Sequence, residues 1–456
     1  MCGVFGIHAP DRDVARLTYF GLHALQHRGQ ESAGIAVSEG GRVTALRDLG
    51  LVTQVFDEQS LRALKGELAI GHTRYSTTGA TAWANAQPLL HHGATRTVAV
   101  GHNGNLINAD ELRDEAGVRL SSTSDSEVIA AMIANDERPL EEAIAAAMSR
   151  IEGAATIVGI ADGTLFGFRD PHGFRPLVIG RLGGDVVLAS ETCALDLVGA
   201  KLEREVSPGE IVLVDEAGAR YVQALPEAER GSLCIFEFFY LARPDTKLAG
   251  VEVHGARVRM GERLAAESPV PADLVMPIPD SGTPAAIGFS RATGIAFSEG
   301  LIKNRYVHRT FIQPEQGMRE QGIRVKFNPL AEVAGKRLVV VDDSIVRGST
   351  TKQIVQMLFD AGAAEVHVRI SSPPVISPCY YGIDLATTDE MIAAHATVER
   401  VCEAIGATSL AYLSLDGLQA ATQRPESTLC RACLTRDYPT RVPGESDKLR
   451  FEPAAA

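Results

Sequence analysis

The sequence predicts two domains of different fold class: a layered α+β domain, then an α/β domain with a parallel sheet. Three observations predict this arrangement. The chain has 456 residues, enough for two or three domains. Its first half, to about residue 230, is rich in short β-type segments, and its second half alternates such segments with helical ones. Strands that alternate with helices are typical of a parallel sheet covered on both faces.

The β-type segments of the first half are separated by Gly, Asp and Asn, which turns between antiparallel strands require. These segments are VTALRDL (43–49), ELAIGHTRY (67–75), TVAVGHNG (97–104), ATIVGIADG (155–163), TLFGFRD (164–170), PLVIGRL (176–182), DVVLAS (185–190) and EIVLVD (210–215). Helical patterns interrupt them at 13–26 and at 125–148, where an apolar stripe begins at Val128. Helices among antiparallel strands indicate a layered α+β domain.

The pattern changes after a linker-like stretch at 224–231. Apolar strand segments at 274–279, 338–343 and 365–370 are separated by helical patterns at 284–292 and 350–361. We therefore predict one domain at 2–230, a second at 231–445 and a short tail at 446–456.

Composition excludes two classes of protein. The start, MCGVFGIHAPDRD, has no basic leader, and no stretch reaches the roughly 20 apolar residues that span a bilayer. We therefore expect a cytoplasmic protein without a membrane segment. A net charge of −13 argues against a nucleic-acid partner. A basic island between Lys303 and Lys326 is the exception, and it suggests a small polyanionic ligand.

Cys2 is the first candidate catalytic residue. Removal of Met1 would expose it as the N-terminal residue, with its own α-amine beside the thiol. An α-amine titrates near pH ~7.7–8.0, so it can accept a proton at neutral pH. Nucleophile and base would then belong to one residue, as in N-terminal nucleophile catalysis. We expect Cys2 to act only after Met1 is removed.

Polar clusters flanked by glycine supply partners for such a nucleophile. HRGQES (27–32), GHTRYSTTG (71–79), GHNGN (101–105) and STSDSE (122–127) provide them. Asn103 and Gly104 could donate to an oxyanion. Arg74 suits the carboxylate of an amino-acid substrate, and Asp125 suits its amine.

MCGVFGI, LQHRGQESAGI, GHTRYSTTG, GHNGN and TSDSE resemble the class II glutamine amidotransferase domain, which has the N-terminal-nucleophile hydrolase fold. The resemblance extends from Cys2 to about residue 230. It implies a four-layer αββα domain, with Cys2 as nucleophile, Asn103 and Gly104 as oxyanion hole, and Arg74 and Asp125 as glutamine anchors.

Residues 338–351, LVVVDDSIVRGSTT, predict an anion site in the second half. A helix that starts after a Gly-bearing turn presents N–H groups to phosphate. Hydroxyls and a charge are added by Arg347, Ser349, Thr350 and Thr351. Asp342 and Asp343 end the strand, where they could hold ribose hydroxyls or hydrated Mg²⁺.

This run resembles the phosphoribosyl pyrophosphate (PRPP) fingerprint of type I phosphoribosyltransferases. PIPDSG (277–282) is similar to their pyrophosphate loop, and GLIKNRYVHRTFIQP (300–314) to the loop that closes over PRPP. The resemblance implies one Mg²⁺ per subunit, held by Ser281, Asp342 and Asp343. It also implies PRPP contacts from Asp280, Ser281, Gly282, Lys303, Arg305, Arg309, Asp342, Asp343, Arg347, Gly348, Ser349, Thr350 and Thr351.

Joined in this order, the two halves resemble the glutamine PRPP amidotransferase family over essentially the whole chain. The resemblance implies that ammonia freed from glutamine at Cys2 attacks C1 of PRPP. The products would be 5-phosphoribosylamine, pyrophosphate and glutamate, in the first committed step of purine synthesis. It also implies feedback inhibition by purine nucleotides and a homo-oligomer, expected to be a tetramer.

Four cysteines form a candidate metal-binding set. Cys430 and Cys433 have C-x₂-C spacing, and Cys234 and Cys379 could complete a site for zinc or for a [4Fe–4S] cluster. Spacing does not separate these two metals. The family resemblance favours one [4Fe–4S] cluster per subunit, because one branch has cluster ligands in these contexts. We expect the other two cysteines outside the nucleophile site, Cys193 and Cys402, to be small buried residues.

Two other functions would fit parts of the sequence. One is a different class II amidotransferase, such as a hexosamine-phosphate or asparagine synthase, but VDDSIVRGSTT would have no use there. The other is a catalytically silent PRPP-sensing regulator. The presence of a complete set of candidate catalytic residues argues against it, namely Cys2, Asn103, Gly104 and Asp125. The acidic net charge also argues against a regulator that contacts DNA.

Overall fold

The structure is a computed structural model that describes residues 1–76, 78–117, 120–304, 325–385 and 387–442. Its strands, numbered in chain order, are β1 Gly3–His8, β2 Ser32–Glu39, β3 Arg42–Leu49, β4 Leu68–Arg74, β5 Leu89–His92, β6 Thr97–Leu106, β7 Gly153–Ala161, β8 Thr164–Arg169, β9 Val178–Leu182, β10 Asp185–Ala189, β11 Lys201–Glu205, β12 Glu210–Asp215, β13 Gly218–Gln223, β14 Leu233–Cys234, β15 Lys247–Leu248, β16 Val251–Glu252, β17 Leu274–Pro277, β18 Leu301–Lys303, β19 Phe327–Pro329, β20 Arg337–Asp342, β21 Glu365–Ile370, β22 Ser409–Tyr412 and β23 Leu429–Cys430.

The α-helices, also in chain order, are α1 Val14–Ala24, α2 Val52–Val55, α3 Glu58–Ala63, α4 Ala109–Ala116, α5 Ser126–Asn135, α6 Leu140–Arg150, α7 Thr192–Val198, α8 Val253–Glu267, α9 Thr283–Thr293, α10 Ser349–Asp360, α11 Ile392–His395, α12 Val398–Ile405, α13 Leu415–Thr422 and α14 Ala432–Thr435. Within the described residues, none of these helices is both long and apolar enough to cross a membrane.

The first half contains two antiparallel sheets packed face to face. One has the order β11-β9-β10-β1-β4-β2-β3, and the other β13-β12-β8-β7-β6-β5. Their inner faces share a core that includes Val4 and Ile70 from the first sheet, and Val158 and Val212 from the second. Cys2 therefore enters at one end of β1, near the middle of a buried strand array.

Helices cover the outer face of each sheet. The α1 and α7 helices pack on the first sheet through residues such as Leu22 and Leu195, and α5 and α6 pack on the second. Alternate residues along each strand point to opposite faces. One face of each sheet therefore packs against the other sheet, and the opposite face packs against helices. The expected four-layer αββα domain is confirmed.

The second half contains a parallel sheet with strand order β17-β20-β21-β22. Alternate residues of its strands face opposite helical layers. Val339 and Val341 pack with α8 and α9, whereas Leu338 and Val340 pack with α10 and α12. The expected α/β domain with a parallel sheet is confirmed.

One predicted helix was wrong in its extent. The 125–148 pattern forms two helices, α5 Ser126–Asn135 and α6 Leu140–Arg150. Asp136, after α5, has extended backbone angles, and Pro139 lies at the start of α6. A proline cannot continue a hydrogen-bonded helix and disfavours helical angles in the residue before it. The apolar stripe continues across this break because both helices pack on the same sheet.

Candidate active sites

Cys2 lies immediately before β1 and is only 7% exposed. Its backbone N–H donates to Asn103 Oδ1 at 3.3 Å, and its Sγ lies 3.6 Å from the Tyr75 carbonyl oxygen. Met1 is also buried, and its amino group donates to the same Tyr75 oxygen at 3.3 Å. Burial lowers the pKa of the Met1 amino group to about 5. The N-terminus is thus held between β4 and β6.

Asn103 and Gly104 lie side by side on β6, paired with Thr156 and Ala155 of β7. The Asn103 side chain is fully buried, and its Nδ2 has no hydrogen-bond partner among the described residues. An unpaired buried donor costs free energy. A Cβ at Gly104 would collide with the Ala154 carbonyl oxygen. Asn103 thus presents a donor beside Cys2 at a position where its neighbour must be glycine.

Arg74 ends β4, one residue before Tyr75, and Asp125 contacts the end of β6; both already have protein partners. The buried Arg74 guanidinium donates to the carbonyl oxygens of Thr78, Gly79 and Ala80 at 3.1–3.3 Å. Asp125 accepts the Leu106 N–H through Oδ2 at 2.9 Å. A substrate carboxylate that binds Arg74 would therefore approach a guanidinium that already contacts the chain's own loop.

The second site lies at the carboxyl edge of the parallel sheet. Pro277 of β17 pairs with Val341 of β20, so the segments that follow leave the sheet together. A Cβ at Gly282 would collide with the Val341 carbonyl oxygen, so glycine allows this close approach. Asp280 forms an ion pair with Lys303. The predicted Arg305 and Arg309 lie outside the described residues.

Asp342, which is partly buried, and Asp343, which is buried, form an acidic pair at this edge. Asp343 accepts hydrogen bonds from the hydroxyls of Ser281 and Ser344, and its own N–H donates to Asp342 Oδ1 at 2.9 Å. Burial, and then the charge of Asp343, holds the pKa of Asp342 well above its usual range. Burial likewise raises the pKa of Asp343, although the two serine hydroxyls oppose this. A bound cation would favour both ionised carboxylates.

The turn after Asp343 leads into α10. Gly348 has φ +76°, a left-handed conformation that favours glycine, and no side chain caps the helix. Ser349 and Thr350 are exposed, whereas Thr351 is buried at 4% exposure. Arg347 is bonded to Glu390 at 2.7 Å. The helix start therefore offers backbone N–H groups and two hydroxyls to an anion.

The four candidate metal-binding cysteines converge at the junction of the two halves. Cys234 and Cys430 are register partners in the parallel pair β14–β23, and the Cys433 carbonyl accepts N–H groups from 376 and 377, shortly before Cys379. Burial raises the pKa of the Cys234 thiol to about 11; Arg175 opposes this and Cys379 adds to it. Burial, and then the other three thiols, raises the pKa of Cys433.

No group of three or more His, Cys, Asp or Glu side chains is placed to hold a metal ion, within the part of the chain that the structure describes. The four thiols are near enough to act on one another electrostatically, but no three of them meet the geometry of a single-ion site. The remaining two cysteines were predicted to be buried. Cys193 is buried at 3% exposure, whereas Cys402 is only partly buried.

Sequence reasoning missed the segment 380–384, which connects the cysteine cluster to the nucleophile site. The Tyr380 carbonyl accepts Asn105 Nδ2 at 3.0 Å, and Asp384 accepts the Tyr75 hydroxyl at 3.2 Å. A Cβ at Gly382 would lie 3.1 Å from the Gly104 carbonyl carbon. From the CYYGID segment only Cys379 was predicted to be functional, because its residue spacing does not indicate a contact almost 280 residues away.

The family model described as "Glutamine amidotransferase domain" matches residues 72–197. Curated relatives named amidophosphoribosyltransferase match nearly the whole chain. The protein of Mycobacterium tuberculosis (strain ATCC 25618 / H37Rv) is 51% identical, over 98% of this chain and 87% of its own. The Synechococcus elongatus protein is 51% identical, over 100% of this chain and 95% of its own. The Archaeoglobus fulgidus protein is 47% identical, over 98% of this chain and 99% of its own.

Two solved structures are similar at full length. One is described as glutamine phosphoribosylpyrophosphate (PRPP) amidotransferase from B. subtilis complexed with ADP and GMP. It has a TM-score of 0.91 and 44% identity, over 98% of this chain and 99% of that chain. The other, described as the allosteric regulatory enzyme of purine biosynthesis, has a TM-score of 0.93 and 44% identity, over 99% of both chains.

Proposed function

The chain belongs to the amidophosphoribosyltransferase family, and we propose that its two sites divide the reaction between them. The enzyme is a glutamine-dependent pentosyltransferase of purine biosynthesis. It forms 5-phosphoribosylamine, pyrophosphate and glutamate from glutamine and PRPP. The proposal assigns glutamine hydrolysis to the Cys2 site and ribose amination to the carboxyl edge of the parallel sheet.

In the first half-reaction, the Cys2 thiolate attacks the side-chain amide carbon of glutamine. The free α-amine left by Met1 removal accepts the thiol proton and passes it to the departing ammonia. Water then hydrolyses the γ-glutamyl thioester to glutamate. The buried, unpartnered Asn103 Nδ2 is the observation that carries this proposal, since it can donate to the oxyanion formed in both steps. The Gly104 N–H is the second proposed donor.

Arg74 and Asp125 are the proposed anchors of glutamine. Arg74 would bind the α-carboxylate in exchange for the loop carbonyls that it now holds, and Asp125 would bind the α-amine. Both side chains are buried, at 2% and 4% exposure, so their charges act in a site with little water.

In the second half-reaction, ammonia attacks C1 of PRPP and pyrophosphate leaves. The start of α10 with Ser349 and Thr350 would bind the 5-phosphate, and the 280–282 turn with Lys303 would bind pyrophosphate. The segment 380–384 lies between the Cys2 site and the second half. We propose that ammonia passes through the interior beside it.

Asp342, Asp343 and Ser281 are the proposed residues for Mg²⁺. The donor set fits, because Mg²⁺ commonly takes one or two carboxylates and completes its shell with water and substrate phosphate. After burial, the charge of Asp343 raises the pKa of Asp342, and a cation between the two carboxylates would relieve this repulsion. Bound Mg²⁺ would neutralise charge on the leaving pyrophosphate. Arg347 remains a proposed phosphate ligand that would first release Glu390.

Cys234, Cys379, Cys430 and Cys433 are the proposed ligands of a [4Fe–4S] cluster. After burial itself, neighbouring thiols, Cys379 among them, raise the pKa of Cys234, Cys430 and Cys433, so the four sulfurs lie near enough to act on one another, as the ligands of one thiolate-binding group would. The cluster would tie the C-terminal segment to the junction.

Regulation, assembly and location are further proposals. The similar B. subtilis enzyme was solved with ADP and GMP, and we propose purine nucleotides as feedback inhibitors of this chain. A homotetramer and a cytoplasmic location stay predictions. Light scattering of the purified enzyme measures the first, and fractionation of the source cells the second.

The test is the Cys2→Ala substitution in the full enzyme, with glutamate release and phosphoribosylamine formation measured separately. We expect glutamine-dependent activity to fall by several orders of magnitude, because the proposed γ-glutamyl thioester forms on the Cys2 sulfur. Ammonia-dependent phosphoribosylamine formation should persist, because it needs only the second site. Glutamine-dependent product formation by the variant would contradict the assignment of Cys2.

A further inference from the structure

The connection between β4 and β5 lies over the nucleophile. We call residues 75–76 and 78–86 the covering segment. Its Tyr75 carbonyl is 3.6 Å from Cys2 Sγ, and Thr78 Oγ1 donates to Asn105 Oδ1 at 2.7 Å, next to the oxyanion residues. The covering segment therefore contacts both the nucleophile and the residue that follows the oxyanion pair.

Glu31 binds the covering segment at two places. Its carboxylate accepts the Ser76 N–H at 3.0 Å, the Ser76 hydroxyl at 3.1 Å and the Thr81 hydroxyl at 3.0 Å. Glu31 itself is fixed by its backbone, because its N–H donates to the Arg74 carbonyl and its own carbonyl accepts the Gly50 N–H. A carboxylate has about four acceptor positions, so it can hold several donors at once.

The same carboxylate is close to the proposed substrate anchor. Glu31 Oε2 lies 3.6 Å from Arg74 Nη1. Arg74 in turn binds the carbonyl oxygens of Thr78, Gly79 and Ala80, which lie between the two points that Glu31 holds. The part of the covering segment that contacts Arg74 thus lies between the two residues that Glu31 binds.

We propose that Glu31 is a positioning residue for glutamine hydrolysis. Glu31 holds Ser76 and Thr81 in place when the substrate carboxylate replaces the intervening carbonyls on Arg74. The covering segment then keeps its position around bound glutamine. The inference rests on the proposed function of the Cys2 site. Glu31 makes no contact with the nucleophile in this proposal and acts only through the covering segment.

The covering segment carries its own reporter. Trp83 is the single tryptophan of the chain and is 57% exposed. Its ring lies under the Arg47 guanidinium, 5.0 Å from centroid to Cζ, and its Nε1 donates to the Arg47 carbonyl at 3.1 Å. Tryptophan fluorescence therefore reports the position of the segment without any measurement of activity.

The experiment compares Glu31→Gln with wild type in the full enzyme, with PRPP present. An amide is neutral and accepts fewer hydrogen bonds than a carboxylate. We expect the KM for glutamine to rise roughly tenfold, the factor for one lost charge-assisted hydrogen bond, with kcat changed less than about threefold. Quenching of Trp83 by acrylamide should increase, and saturating glutamine should reverse much of that increase. Glu31→Asp, which keeps the charge, should recover part of the KM.

The matched control is Glu39→Gln, the same change at the exposed far end of β2, and it should leave KM and quenching unchanged. A Glu31→Gln enzyme with the KM and quenching of wild type would overturn the proposal. Loss of ammonia-dependent activity together with glutaminase activity would overturn it too, because it would assign Glu31 a general structural role. A wild type that releases no glutamate would instead contradict the proposed function, and the Trp83 measurement would still test Glu31.

Discussion

The two ends of the Asn103 amide have different roles: one contacts the nucleophile, and the other is a donor for the proposed oxyanion. Its Oδ1 accepts the Cys2 N–H, which fixes the amide, so its Nδ2 points away with no partner among the described residues. A buried donor without a partner costs roughly 1–3 kcal/mol. A developing oxyanion would satisfy it, so the interaction is gained during the reaction and not before.

His72 is a second residue-scale feature, and it predicts a dependence of stability on pH. The side chain is fully buried on β4, its Nε2 lies 3.0 Å from the His102 carbonyl oxygen, and burial lowers its pKa to about 3. The unfolded chain binds this proton below about pH 6.5, and the folded chain does not until about pH 3. The contribution of His72 to stability is therefore complete above pH 6.5 and is lost as the pH falls.

We expect His72 to lower the free energy of unfolding by about 1.4 kcal/mol between pH 7.5 and 5.5. His72→Gln keeps a donor for the His102 carbonyl and removes the titration, so its stability should fall less over this range. Urea unfolding midpoints of both proteins at three pH values measure the difference. Equal losses in the two proteins would contradict the assignment.

At the scale of elements, the pair β14–β23 is short but decisive for the cysteine cluster. It joins Leu233 and Cys234 to Leu429 and Cys430 across almost 200 residues. Two residues of parallel pairing are weak by themselves, since isolated strands of this length are marginal in water. Packing of Leu233 and Leu429 in the same core supports the pair, and a bound cluster would add further cross-links.

The cluster proposal predicts a spectroscopic change in Cys430→Ser. The wild type purified without oxygen should be brown and contain about four irons per chain. The variant should lose most of that iron and melt at a lower temperature. Cys402→Ser, at a partly buried thiol outside the cluster, is the matched control. A wild type with bound zinc and no iron would contradict the cluster.

At the scale of the molecule, a buried ion network joins the two halves. Arg28 Nη2 is 2.6 Å from Glu237 Oε2, and Arg175 Nη1 is 3.4 Å from Glu237 Oε1, all with side chains at 0% exposure. Arg28 also pairs with Glu191. Arg175 donates twice to the Tyr381 carbonyl, at 2.6 and 3.0 Å. The network thus extends from the first half into the segment that reaches the nucleophile site.

Removal of Glu237 should destabilise the whole protein. Glu237→Ala leaves two buried arginines without this partner, and breaking a buried pair costs about 3–5 kcal/mol. We expect a clear drop in melting temperature, with Glu229→Ala, at an exposed carboxylate of the linker, as the matched control. Scanning calorimetry measures both. If the Glu237→Ala enzyme has the melting temperature of the wild type, water or a local rearrangement satisfies the two arginines and the prediction is contradicted.

Several features could be predicted from the sequence because their chemistry is local. The run LVVVDDSIVRGSTT combines a buried strand, an acidic pair and a glycine turn within fourteen residues, and the structure has β20, the turn and α10 there. Alternation and turn residues likewise indicated both fold classes. The family resemblance, read from motifs, is confirmed by relatives that match nearly the whole chain.

Other features were decided only by the tertiary structure. The contacts of Glu31 with Ser76 and Thr81, the Arg28–Glu237 pair and the approach of Gly382 to Gly104 join residues from 45 to about 280 positions apart. Such contacts depend on how sheets and connections pack, and they leave no period or spacing in the sequence. The amino-acid sequence by itself therefore determined which chemical groups the protein has, and tertiary packing determined which of them meet around Cys2.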